Sequence, residues 1–478
     1  MRIAYFSPLN PVPSGISDYS EDLLPYLASY AEVDLFVDRG YRPASPDVAA
    51  HFSIEHYDRY RRLARRRRYD VLLYHVGNSP AHDYIVTMLE RHPGVVVLHD
   101  HVLHHLMLWR AFRHGDGTAY LRDMERYGEV ARGLATAMAR GRLLEEAFRY
   151  PLCEGVIVAA QGIVVHSEYV AARVREVRPE VPLAVVPMGV PQPILPEREE
   201  ARRRLGLPPG ALVLASFGHV NPYKRLEPAL RAFRRLREGH PEALLVLVGS
   251  VSPHFDLAGL LRRLELTEAV RVTGFAELGA FMGYLAASDI CINLRHPTAG
   301  ETSASLLRIL GAGLPTLVSR TGAFAELPAE VAIQVDVSED EEEEVFAFLD
   351  YLAGHPEARR FFGENARRYV ATEHTPEGAA SSYARFLAQL CEEAIPSQPL
   401  RPPLFCPQTG RPAPLPEAPP PSSPAEEVAR LPVELVAQAL AEIGVEEDDA
   451  ASLQATAETL ESLPELYDTD GTTRISHG

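Results

Sequence analysis

The segment LVLASFGHVNPYKRLEPALRAF, residues 212–233, passes from a short apolar run through Gly218 and a polar loop into a stretch of helical period. A continuous apolar run followed by an amphipathic helix is the repeating unit of a parallel sheet covered on both faces. The same kind of run recurs along the chain. Before it stand RIAYFS (2–7), VDLFV (33–37), DVLLYHV (70–76), GVVVLH (94–99), GIVVH (162–166) and LAVVP (183–187). After it come ALLVLVG (243–249), VRVTGF (270–275), DICINL (289–294), PTLVS (315–319) and VAIQV (331–335). Twelve strands exceed one ordinary doubly wound sheet, so the pattern predicts an α/β chain with two such domains. The segment PQPILPEREEARRRLGLPPG (191–210) reads as their connection, with the boundary near residues 189–196.

Length and composition agree with this division. The chain has 478 residues, 46% of them hydrophobic, which at roughly 150 residues per domain allows two or three cores. Its 47 basic side chains stand against 65 acidic ones, a formal charge of −18 that argues against nucleic acid as a partner. Lys224 is the single lysine, and it lies within the opening segment. The four cysteines, Cys153, Cys291, Cys391 and Cys406, are widely spaced and form no CxxC pair, which suits reduced thiols in a cytoplasmic protein. The N-terminus lacks the apolar core of a signal peptide, and no run approaches the 18 apolar residues of a membrane span. Residues 396–424 hold 12 prolines and read as an extended linker; residues 425–478 read as short acidic helices. This tail is either a solubilising appendage or a docking element for a protein partner.

In an open α/β sheet, ligands bind beyond the carboxyl ends of the strands, often on helix N-termini. After the first strand, SPLNPVPSGISDYSEDLL places Gly15 at the start of a helix with Ser14 or Ser17 as its cap. After GVVVL comes HDHVLHH, with four histidines in seven residues. Only His101 and His105 are spaced i, i+4, so a neutral His99 poised over a substrate is preferred to a metal site. In the opening segment, Lys224 and Arg225 stand side by side before a helix, where two cations beside free N–H groups call for an anion. After DICINL, Gly300 permits a tight turn, Glu301 projects from it, and Thr302 or Ser303 caps the next helix, a second anion site. The anionic ligand is therefore expected mainly on the second domain.

These elements, taken in order with VVPMGV (185–190) and GAGLPTLVS (311–319), resemble the retaining nucleotide-sugar glycosyltransferases of the GT-B fold, specifically glycosyltransferase family 4. The resemblance covers about residues 1–395. It implies two facing Rossmann-like domains, an N-terminal acceptor domain (1–190) and a C-terminal nucleotide-sugar domain (191–395), with the active site in the cleft between them. It also implies a last helix, around 378–394, that packs back on the first domain. The family's donor-phosphate loop carries a glycine, an arginine and a lysine; Gly218 and Lys224 match, and His219 stands at the arginine position with Arg225 as a substitute. The family's two glutamates, with seven residues between them, align with Gly300 and Arg308. Glu301 is displaced by one position and the second carboxylate, which in the family holds the ribose hydroxyls, is an arginine.

What the resemblance implies is transfer of a sugar from a nucleoside diphosphate to an acceptor hydroxyl with retained configuration. No metal and no cofactor are required, the nucleoside-diphosphate sugar being the donor substrate. Lys224, Arg225 and the helix start at Thr302 and Ser303 would stabilise the leaving diphosphate, Glu301 would orient donor hydroxyls, and His99 would contact the sugar or position the acceptor. The acceptor, whether glycan, lipid or small molecule, stays open. The arginine run at 57–70 is either a solvated helix face or a peripheral contact with the inner membrane face. Leu106, Met107, Leu108, Trp109 and Phe112 either line an acceptor pocket or pack as core. The rival readings are a catalytically silent GT-B nucleotide-sugar-binding protein and another GT-B enzyme such as a nucleotide-sugar epimerase.

Overall fold

The computed structural model describes residues 1–12, 14–139, 144–253, 255–392 and 398–405. The first domain is built on a seven-stranded sheet: β1 (Arg2–Phe6), β2 (Glu32–Val37), β3 (Ser53–His56), β4 (Val71–Val76), β5 (Val95–Leu98), β6 (Gly162–Val165) and β7 (Leu183–Val185), in the order β3-β2-β1-β4-β5-β6-β7. The second is built on six strands: β8 (Val213–Phe217), β9 (Leu244–Val248), β10 (Val270–Val272), β11 (Ile290–Asn293), β12 (Thr316–Ser319) and β13 (Ile333–Val335), in the order β10-β9-β8-β11-β12-β13. Every pairing is parallel; Tyr5 of β1, for instance, lies between Leu35 and Leu73. Burial on both faces explains why these strands are continuous apolar runs.

β3 is the strand that the apolar runs do not reveal. It is the sheet's edge, its four residues SIEH are each half-buried, and such a strand needs no hydrophobic run.

In each sheet the strand order reverses beside the first strand of the domain, between β1 and β4 and between β8 and β11. Such switch points open a crevice at the carboxyl ends. Gly15 and Asn78 follow β1 and β4; Gly218 and Arg295 follow β8 and β11; all four line one cleft between the domains. The domains are held together by a shared apolar cluster that joins Tyr19, Leu23 and Val37 to Leu306, Leu310, Val370 and Tyr383. The last described helix, Pro376–Leu390, lies on the first helix, Gly15–Leu27, and Tyr19 Oη donates to Tyr383 Oη at 3.1 Å.

Three expectations are corrected or refined here. Part of the expected linker is a strap on the first domain: Leu400 N donates to Ser29 O, Arg401 Nε to Ala28 O, and the Phe405 ring meets His51 and Phe52. The rest of that linker and the tail at 425–478 lie outside the described residues. Leu106, Met107, Leu108, Trp109 and Phe112 do not line the cleft. Their helix, His104–Arg113, opens a helical insert between β5 and β6, where Leu108 and Phe112 pack with Tyr120, Met124 and Met138. The arginine run forms the short helix Tyr60–Ala64 and the turn after it. Tyr60, Leu63 and Tyr69 face the core, while Arg61, Arg62, Arg65, Arg66 and Arg68 face solvent. Among the described residues no helix is long and apolar enough to cross a membrane.

Candidate active site

The cleft encloses about 500 Å³ and draws lining residues from both domains. On the second domain, the chain leaves β8 at Gly218, whose φ of +95° places it in the left-handed region. A Cβ there would stand 3.4 Å from Lys224 Nζ, so the absence of a side chain leaves the ammonium its place. Lys224 is buried, and Nζ donates to Phe217 O at 2.7 Å. An ammonium has three donors, so two are left for a ligand. Burial, reinforced by nearby Arg295, pushes its pKa down to about 7.

After β11, Glu301 is held from two sides, by an ion pair with Arg295 and by Thr298 Oγ1, which donates at 2.8 Å. The next helix, Ala304–Gly311, is capped by Ser303, whose Oγ accepts from Leu306 N at 3.2 Å. Thr302, Ser303, Ala304 and Ser305 all line the cleft, so the free N–H groups of this helix start belong to the cleft wall. His219 also lines it, with Nδ1 bonded to Ser250 Oγ at 2.9 Å.

On the first domain, the first helix is capped by Ser14, whose Oγ accepts from Ile16 N at 3.2 Å, and Gly15 opens into the cleft. His99 follows β5. It is buried, its Nε2 shares a hydrogen bond with His75 Nδ1 at 3.0 Å, and burial keeps both rings neutral well below the usual histidine range. His166 packs against His99 with ring centroids 5.0 Å apart.

Of the residues expected at the site, the cleft brings together Gly15, His99, Gly218, His219, Lys224, Glu301, Thr302, Ser303 and Arg308. Two are placed elsewhere. Arg225 does not face the cleft: its backbone is left-handed, with φ +52°, and its guanidinium is bonded to the buried carboxylate of Glu341. The adjacent cations therefore divide, one toward the cleft and one into an ion pair. Gly300 sits in the seam between the domains. Its φ is +84°, a Cβ would come within 2.8 Å of His101 Cβ, and the preceding Ala299 O accepts from both His101 N and Val102 N. Arg308 does line the cleft, but its Nη2 is spent on Asp22 Oδ2.

The cleft also contains residues that no motif singled out. Asp100 accepts Asn78 N–H on Oδ2 at 2.8 Å, and burial together with Glu301 raises its pKa to about 7. Asn78 is oriented by Leu106 N, which donates to Oδ1; its Nδ2 is then the donor to His105 Nδ1 at 2.9 Å. Phe148 and Tyr223 approach from opposite domains with ring centroids 4.9 Å apart. Asp100 follows His99 directly at a strand's carboxyl end, a positional signal that was available; Phe148 and Tyr223 carried none.

Two facing parallel sheets, each opening its switch point onto one cleft, with a buried lysine and a capped helix start on the second domain, make a familiar architecture. The fold is GT-B. Among solved structures, a glycosyltransferase from Rickettsia africae superposes with a TM-score of 0.58 at 12% identity, over 82% of this chain and 99% of that one. Sucrose-phosphate synthase from Thermosynechococcus elongatus gives 0.57 at 16% identity, over 81% and 98%. Anabaena HepE in complex with UDP and glucose gives 0.55 at 16% identity, over 81% and 100%. Residues 197–369, the bulk of the second GT-B domain, match the model of the family described as glycosyl transferases group 1. By sequence, the chain is 26% identical over 207 residues to D-inositol 3-phosphate glycosyltransferase 2 of Catenulispora acidiphila, covering 41% of this chain and 48% of that one. It is 41% identical over 85 residues to the D-inositol 3-phosphate glycosyltransferase of Actinosynnema mirum, covering 16% and 20%. The chain thus spans about half the length of the first of these curated relatives and about a fifth of the second.

Proposed function

We propose that this chain is a retaining glycosyltransferase of family 4 that moves a sugar from a nucleoside diphosphate to an acceptor hydroxyl. The observation that carries this reading is Lys224, a buried ammonium with two open donors in the same cleft as the capped N-terminus of the Ala304–Gly311 helix. As the glycosidic bond breaks, its electron pair goes to the diphosphate oxygen. A fixed ammonium and fixed N–H groups in a half-dry cleft stabilise that charge without reorganising. All of this positive charge comes from the protein, so the proposed step uses no metal. Glu301, locked by Arg295 and Thr298, orients donor hydroxyls; neutral His99 contacts the sugar; Gly15 lets backbone approach it. The group 1 match and the UDP and UDP-glucose complexes of HepE support a donor of this type. We place the reaction in the cytoplasm.

The test is incubation with a panel of radiolabelled nucleotide sugars. Transfer or hydrolysis by the native chain and none by Lys224→Ala is the expected result; failure to bind any nucleotide sugar refutes the reading. A second reading, a silent nucleotide-sugar-binding protein, is favoured by the engagement of Arg308 with Asp22 where the family holds ribose. Binding without turnover across the whole panel would select it.

A further inference from the structure

The two walls of the cleft differ in charge. Its described arginine and lysine side chains, Lys224, Arg295 and Arg308, all come from the second domain. The first domain lines the cleft with two carboxyl groups, Asp18 and Asp100, and with Ser79, His82, His105 and Phe148, whereas the second domain's carboxyl there, Glu301, is paired with Arg295. Asp100 is half-buried and lines the cleft; its Oδ2 takes the Asn78 N–H, while Oδ1 has no hydrogen bond among the described residues. His82 flanks the same spot: the Cβ position of Gly77 lies 3.1 Å from His82 Nε2 and 3.2 Å from Asp100 Oδ2. Phe148 from the first domain and Tyr223 from the second supply aromatic surface to the same cleft.

We propose that the acceptor is an uncharged, polyhydroxylated ring, a sugar or cyclic polyol, and that Asp100 holds one of its hydroxyls. The proposal rests on the transferase reading above and names the acceptor's class. A carboxyl with a free oxygen is an acceptor for hydroxyl donors, and flat aromatic surface covers the C–H face of a ring. A phosphate on a ring held by Asp100 would bring further negative charge to a carboxyl on which Glu301 already acts, and like charges brought together in a desolvated site are strongly disfavoured. This separates the acceptor from the phosphorylated inositol in the names of the curated relatives.

The experiment is saturation-transfer NMR on the full chain with UDP present, using myo-inositol and D-glucose against myo-inositol 1-phosphate and glucose 6-phosphate. The neutral rings are expected to bind, and Asp100→Asn to weaken them about tenfold, the scale of one lost charge-assisted hydrogen bond. Asn keeps an oxygen for the Asn78 N–H, so the fold is retained. Preference for the phosphorylated rings, binding of neither kind, or an Asp100→Asn variant with unchanged affinity overturns the proposal. UDP binding, followed separately by calorimetry, reports on the second domain. Failure of UDP and of every other nucleoside diphosphate tested to bind would sink the transferase reading, whereas nucleotide binding with the wrong ring preference sinks only the acceptor class.

Discussion

Arg308 and Asp22 meet across the domain boundary, Nη2 donating to Oδ2 at 2.8 Å with both side chains almost wholly withdrawn from solvent. One belongs to the Ala304–Gly311 helix of the second domain, the other to the Gly15–Leu27 helix of the first. Desolvation offsets much of the attraction in such a pair, so its main effect is geometric: it ties the helix that would carry the diphosphate to the helix that opens at Gly15.

Removing one partner leaves the other charged and buried. Asp22→Ala should therefore lower stability by about 3–5 kcal/mol in urea unfolding. The double variant Asp22→Ala, Arg308→Leu should lose less than the sum of the two single changes. Additive losses would show that the pair is not coupled.

Lys224→Ala should lower transfer by about 10²–10³-fold, the usual effect of deleting one preorganised donor to a developing charge. The melting temperature should not fall, because the variant removes a buried charge. Lys224→Arg should not rescue it: Nζ sits beside Gly218 and against Phe217 O, a place fitted to a compact ammonium and not to a planar fork. Activity restored by arginine would show that positive charge alone suffices.

The same lysine predicts proton uptake. With its pKa lowered to about 7, Lys224 is mostly neutral at pH 8 in the free protein. A diphosphate favours the charged form, so UDP binding at pH 8 should take up a large fraction of one proton, and affinity should fall as pH rises above 7. Calorimetry in two buffers of different ionisation enthalpy measures this; equal apparent enthalpies would count against it. For folding the sign is that of any group whose pKa the fold lowers. The folded chain holds fewer protons than the unfolded one between about pH 7 and the ordinary lysine range, so this group makes stability rise with pH across that window.

The histidines behind the cleft predict acid sensitivity. Burial lowers His75 and His99 well below their ordinary value and brings His82 and His166 to about 4. As pH falls below about 6.5, the unfolded chain takes up protons that the folded chain refuses. Each such ring can remove about 1.4 kcal/mol per pH unit down to its folded pKa. The melting temperature should drop steeply between pH 6.5 and 5, and His166→Phe should flatten the slope. An unchanged slope would place the acid sensitivity in other groups.

How much of this was legible in one dimension follows from the range of each interaction. The inner strands could be read because a strand buried on both faces must be apolar throughout, a condition met by consecutive residues, and edge strands such as β7 and β10 because they lie within apolar runs of their own. β3 escaped because an edge strand with half-exposed residues imposes no such condition. Gly218, Lys224, Glu301, Thr302 and Ser303 could be found because they lie in the segments that leave strands β8 and β11 for the next helix, and the carboxyl ends of parallel strands are where ligands bind. Whether Arg225 serves the cleft could not be found, since that depends on a left-handed backbone and on Glu341, 116 residues away. Nor could the partner of Arg308, which lies 286 residues away on the other domain. The sequence by itself determined the two α/β domains and the strand-to-helix loops, with the lone lysine, that line the cleft, all properties of short contiguous segments. Only the tertiary structure decided which carboxyl groups the first domain turns to the cleft, which arginine is drawn away from it into an ion pair, and where Asp100 opens. Those are questions of which distant charges share a desolvated space, and only a folded chain answers them.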